Sequence, residues 1–311
     1  MSRRFDALDA ARGVAFVAMA AYHLTWDLAW FGIVEPTTPF TPPMRLASHA
    51  IGATFLALAG FSLALAHGRG FRARPFLTRL GGIVAAAALV TAASYVIAPQ
   101  AVIGFGVLHA IAAASLLAVP FLVRPGVASS MAALAAGGAL IAAPSLWTSP
   151  DLNVPWLVWL GLGTEPPPTL DWRPLLPWGG FLLLGLGIGL LRVPLPDWTA
   201  RAPPARALAF AGRHSLAFYL IHQPVMIGFL GSALALTGAS ERLAAQSYVR
   251  ACRPACVEAG GEIDVCERAC ACVARAAKTA GIAAALTAPS LAPSQRQRLG
   301  AIVDACGADP R

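Results

Sequence analysis

The chain has 311 residues, of which 57% are hydrophobic and 12% charged, with a formal net charge of +8. Soluble domains carry about a quarter charged residues, so the composition argues against a soluble enzyme and for a polytopic membrane protein. The basic residues stand between apolar runs, without interleaved aromatics or zinc-finger spacing, so no nucleic-acid partner is expected.

In chain order, apolar runs long enough to cross about 30 Å of hydrocarbon at about 1.5 Å per residue cover 10–31, 46–67, 79–98, 101–123, 127–147, 174–191 and 214–237. The expected fold is therefore all-α, a bundle of about seven transmembrane helices. Ala, Gly and Leu dominate the runs, as where small residues let helices approach closely in lipid. The first run reads as a retained helix rather than a cleaved leader, because "FDALDAARG" is too polar to open one and Asp27 interrupts the later part.

Arginine sets the expected orientation. If the N-terminus is cytoplasmic, the inside segments hold Arg3, Arg4, Arg12, Arg69, Arg72, Arg74, Arg79, Arg124, Arg192, Arg201, Arg206 and Arg213. The outside loops before residue 240 hold only Arg45 and Arg173. That asymmetry places the N-terminus inside and, after seven crossings, the C-terminal tail outside. Between the fifth and sixth runs, residues 148–173 are rich in Pro and Trp, and Trp147, Trp156, Trp159, Trp172 and Trp178 suit the membrane–water interface. This segment is expected to form a structured lid on the outer face.

The composition changes near residue 238, which divides the chain into a membrane part, 1–238, and a tail, 239–311. All six cysteines lie in the tail: Cys252, Cys256, Cys266, Cys270, Cys272 and Cys306. An even count on the side that charge places outside fits disulfides in an oxidising compartment. The spacing is a twin C-x3-C, and residues four apart share one helix face. Two antiparallel helices joined around "GGEID" would set Cys256 beside Cys266 and Cys252 beside Cys270, leaving Cys272 and Cys306 for a third bridge. This resembles the twin C-x3-C hairpins stapled by two disulfides. A zinc site built from the same thiols is the alternative, disfavoured because no histidine is near. No metal is expected. Pro254 should kink the first of these helices or begin it. Ser294, with Gln297 three residues on, is expected to cap the last helix. The tail shows no catalytic cluster, which suits a structural or partner-binding role, including self-association.

Ionisable residues within the apolar runs are costly and mark candidate sites. His23 and Asp27 lie four residues apart, hence on one face of the first helix. A carboxylate within reach can fix an imidazole's tautomer, which is a general-base arrangement. His49 opens the second helix near the outer surface. His109 lies in the fourth, where an interhelical hydrogen bond is an equal reading. In "GRHSLAFYLIHQP" His214 sits beside Arg213 at the inner end of the seventh helix, with Arg12 at the inner end of the first. His222 and Gln223 fall near mid-depth, where Pro224 frees the carbonyl of Leu220.

These residues carry a family resemblance. "RFDALDAARGVAFVAMAAYHLTWDL" resembles the opening of membrane acyltransferases. With "GFGVLHAIAAASLL" and "GRHSLAFYLIHQPVM" in order, residues 3–236 look like the bacterial relatives of heparan-alpha-glucosaminide N-acetyltransferase. The resemblance implies transfer of acetyl from cytosolic acetyl-CoA to an envelope sugar or glycan by an enzyme of the bacterial inner membrane; the tail lies outside the resemblance, and the charge pattern and cysteines make it periplasmic. On that reading His23 is the base and Asp27 orients it, while His49 and His222 line the acceptor or transfer path. Arg12, Arg213 and His214 would meet the CoA phosphates. The lysosomal enzyme appears in this resemblance with a histidine in the loop after its first helix. Here "GIVEPTTPFTPPMRLAS" has none, so that role does not carry over. Two rival readings use the same residues: a transporter or flippase of a small envelope precursor, and a membrane scaffold that recruits a partner through its disulfide-rich tail.

Overall fold

The computed structural model describes residues 5–192, 198–288 and 291–308, and among them the regular elements are helical. Arg3 and Arg4 of the charge pattern lie outside the described residues. In order the helices are α1 (Asp6–Trp30), α2 (Pro42–His67), α3 (Ala73–Ile97), α4 (Val107–Leu117), α5 (Val119–Val123) and α6 (Val127–Leu146). There follow α7 (Leu175–Leu190), α8 (Pro203–Arg213), α9 (Ser215–Leu236), α10 (Ala239–Glu258), α11 (Ile263–Thr279) and α12 (Pro293–Ala308).

Each expected apolar run contains helix, and among the described residues four helices are long and apolar enough to cross a membrane: α2, α3, α6 and α9. α1 matches in length but carries more charge. α7 has 16 residues and α4 only 11. The run 101–123 is not one helix. α4 starts late because the Asp171 carboxylate accepts from the Val107 N–H at 2.9 Å, fixing the helix end there. It stops before Pro120, which has no N–H to extend the ladder. α3 begins earlier than expected, because Pro75 is tolerated in a first helical turn. Arg74 and Arg79 therefore lie within α3 rather than in a loop.

Contacts divide the chain into two compact units. The first holds the residues up to Met19 with Leu46–Leu220, and the second Ala20–Arg45 with Ile221 to the tail. The change of composition near 238 is thus not where contacts divide the chain. That division falls inside α1 and inside α9.

In the first unit α7 is the centre of the core. Leu182, Leu183 and Leu186 are buried with Leu56 and Leu63 of α2, Ala110 and Ala114 of α4 and Ala133 of α6. Glycine lets the backbones meet: a side chain on Gly185 would run into the Ala57 carbonyl. Across the α6 side, the Ser130 hydroxyl donates to the Gly187 carbonyl at 2.7 Å. Residues 148–173 are ordered by two short 3-10 turns and pinned by Leu170 N–H to the Ala101 carbonyl at 3.1 Å and Arg173 N–H to the Phe105 carbonyl at 3.2 Å.

In the second unit α10 and α11 form an antiparallel hairpin. Disulfides join Cys252 to Cys270, Cys256 to Cys266 and Cys272 to Cys306. α10 neither begins at Pro254 nor ends there but runs through it. Flanking disulfides hold that turn despite the missing amide donor. α12 opens at Pro293, one residue before the expected cap Ser294. Its first turn is closed by the Gln295 side chain, which accepts from the Ala292 N–H at 3.2 Å.

Candidate active site

The second unit brings together four of the residues singled out by sequence. His23 and Asp27 come from successive turns of α1, and His222 and Gln223 from α9 just before Pro224. The imidazoles of His23 and His222 meet edge to face, with centroids 5.1 Å apart. The Tyr22 ring also meets that of His23 edge to face, with centroids 5.8 Å apart. Gln223 Nε2 donates to Asp27 Oδ1 at 2.6 Å. Asp27 is only 3% exposed. Among the described residues, its Oδ2 and the Gln223 Oε1 are buried without a hydrogen-bond partner. Such an acceptor is costly unless a ligand or water completes it. Two imidazoles beside an incompletely bonded carboxylate can receive, hold and relay a proton. The link from Asp27 to Gln223 spans 196 residues and carries no sequence signal beyond the polarity of both.

His49 belongs to the first unit, with its ring 5.4 Å from that of Trp178. Arg173 lies over the same indole at 4.4 Å and donates to the hydroxyl of Ser48. Gly52 makes room for Trp178, since a Cβ there would meet the indole. Trp178 is itself only 4% exposed, so its ring is packed between these groups rather than open to a ligand. Sequence reading left Arg173 as a topology marker and missed its stacking.

His109 is a capping residue. Its Nδ1 accepts from the Gly106 N–H at 3.2 Å, so in the neutral ring Nε2 carries the proton. Nε2 faces the Thr91 hydroxyl at 3.2 Å, and that hydroxyl donates to the Ile103 carbonyl at 2.7 Å. Both ring nitrogens are thereby engaged.

The three residues expected at the donor side also lie in the first unit. Arg12 donates to Asp9 at 2.8 Å and to the Ser62 hydroxyl, partners that sequence reading did not assign, although the spacing of Asp9 and Arg12 permits a helical pair. Arg213 stands 3.7 Å from Asp6. His214 caps α8, with its ring 4.7 Å from Phe210. A cleft of about 550 Å³ is lined by Asp6, Pro203, Arg206, Phe210 and Arg213, so Arg213 faces it together with Arg206. Two guanidiniums on one amphipathic helix can hold phosphate oxygens. Among the described residues no group of three or more His, Cys, Asp or Glu is placed to hold a metal ion.

Comparison with curated proteins and with solved structures finds no match. The family described as heparan-alpha-glucosaminide N-acetyltransferase, catalytic, matches residues 4–224. That stretch includes His23, Asp27, His49, His222 and Gln223 and covers well over half of the chain, so the chain belongs to the heparan-alpha-glucosaminide N-acetyltransferase catalytic family.

Proposed function

We propose that this protein transfers acetyl from cytosolic acetyl-CoA to an amino or hydroxyl group of an envelope sugar. Membership of a membrane N-acetyltransferase family supports the reaction class. The observation that carries the site is the buried, incompletely bonded Asp27 carboxylate beside the His23–His222 pair. His23 takes the proton from the acceptor nitrogen or oxygen as that atom attacks the thioester carbonyl. A carbon–nitrogen or carbon–oxygen bond forms, the carbon–sulfur bond breaks, and the CoA sulfur leaves as thiol with the transferred proton. Asp27 stabilises the positive imidazole, and Gln223 keeps that carboxylate in place. His222 lines the proton path. His49 lines the acceptor path, and Arg213 with Arg206 hold the donor phosphates, assisted by Arg12 and His214.

On this reading α1 to α9 supply seven crossings of the bacterial inner membrane. The N-terminus is cytoplasmic, as the arginine pattern supports, and the tail is periplasmic, as its three disulfides support.

The test uses the full chain in vesicles, with labelled acetyl-CoA at the cytoplasmic face and D-glucosamine as the probe amino sugar at the other. The expected result is labelled N-acetylglucosamine with one free thiol per product. Movement of glucosamine without acetyl-CoA, and no thiol release, would establish a carrier instead.

A further inference from the structure

The tail lies beyond the family match and has chemistry of its own. Its hairpin is polarised. The Cys256–Cys266 and Cys252–Cys270 bridges lock the end that bears the turn, where Glu258, Glu262, Asp264 and Glu267 gather. Arg253 is neutralised there by Glu267 at 2.9 Å.

One turn beyond the bridges, at the open end, α10 and α11 leave a groove of about 490 Å³. Its walls are short and largely apolar, with Ala245 and Val249 on one side beside the polar Gln246, and Ala271 and Ala274 on the other. Its rim is cationic, with Arg250, Arg275 and Lys278. Arg250 is committed to the Gly32 carbonyl at 2.9 Å and to Glu35 at 3.2 Å, which fixes this end of the hairpin to the turn after α1. Arg275 and Lys278 are exposed, and neither forms a side-chain ion pair among the described residues. Arg298 adds a further cation nearby, donating to the Ala280 carbonyl at 3.0 Å. Glu241, one turn before Ala245, is the nearest carboxylate along α10.

The position of the groove along the chain indicates its occupant. α9 is apolar and long enough to cross a membrane, and its last residue, Leu236, is 89% exposed. Only Thr237 and Gly238 separate α9 from α10. Ala245 is therefore at most about 20 Å from the end of α9, close enough for α10 to lie on the bilayer surface where α9 leaves it. A rigid groove with an apolar floor and a cationic rim at that level complements a molecule that is apolar at one end and anionic at the other.

We infer that this groove seats an anionic phospholipid. The phosphate lies on Arg275 and Lys278, and the glycerol and acyl carbons lie along Ala245, Val249, Ala271 and Ala274. The tail is then a lipid-reading module that holds the hairpin down on the bilayer, independently of the acyltransferase reading.

The experiment uses the full chain in neutral detergent with a phosphatidylglycerol analogue bearing a photoreactive group near its headgroup. Adducts are mapped by peptide mass spectrometry. Adducts are expected on peptides within 239–279, displaced by phosphatidylglycerol but not by phosphatidylcholine or inorganic phosphate. At about fivefold per surface charge, the half-saturating concentration should rise about 30-fold in Arg275→Ala/Lys278→Ala. Arg275→Lys should retain binding. Intact masses showing three disulfides in every variant exclude misfolding as the cause. Equal labelling of the double variant, no hairpin adducts above the phosphatidylcholine probe, or full displacement by inorganic phosphate would each overturn the inference.

Discussion

His109 and Asp27 are both polar groups set into apolar helices, and their surroundings differ in one respect. The His109 ring sits between a backbone donor at Gly106 and the Thr91 hydroxyl, which itself is spent on the Ile103 carbonyl. The whole set closes on itself and fixes the start of α4. Asp27 holds one donor, from Gln223, and keeps a second buried oxygen unmatched beside two imidazoles. A closed set stabilises a fold. An open one costs stability, and that cost is recovered when a ligand supplies the missing donor. Polarity within a membrane run therefore does not identify a catalytic site; an unmatched acceptor beside a titratable partner does.

The comparison can be broken at several points. Asp27→Ala should lower acetyl transfer by about 100-fold or more, the range for a positioned proton-transfer group. Its melting temperature should be unchanged or raised, because a poorly bonded buried carboxylate is removed. A smaller effect is expected for Gln223→Leu, which takes the one donor from Asp27 Oδ1: about tenfold in turnover, or about 1.4 kcal/mol. Loss of turnover equal to that of Asp27→Ala would give Gln223 a direct role. The smallest effect on rate belongs to Asp171→Ala, which removes the acceptor at the start of α4 and should cost about 1 kcal/mol of stability. Thermal melts should record that loss while turnover stays within about twofold, as for a residue that only closes a helix end.

Much of the helical architecture was legible in the sequence, because apolar runs and helix length obey one periodicity. The tail was legible too, since two C-x3-C pairs on facing helices admit that pairing by the four-residue repeat. What sequence could not supply was contact at a distance. α4 begins at Val107 because Asp171, far along the chain, reaches its first amide. Nothing local in "AVIGFGVLHA" announces that. Likewise His23 and Asp27 read as a self-contained pair on α1, while the carboxylate accepts its hydrogen bond from Gln223 on α9. Arg12 and Arg213 read as free cations at a helix end, yet each has a carboxylate from the start of α1 beside it. Any donor phosphate must therefore compete with, or add to, those ion pairs.

The most direct measurement compares acetyl transfer from labelled acetyl-CoA to D-glucosamine by His23→Ala and His109→Ala side by side in vesicles. Folding is checked in each variant by thermal melting. The account predicts that His23→Ala loses about 100-fold or more of the rate with its melting temperature kept, the expectation for removal of a general base. It predicts that His109→Ala keeps its rate within about threefold while melting earlier, the expectation for loss of a helix cap. Full activity in His23→Ala, or a greater rate loss in His109→Ala without destabilisation, would contradict the assignment of the catalytic centre.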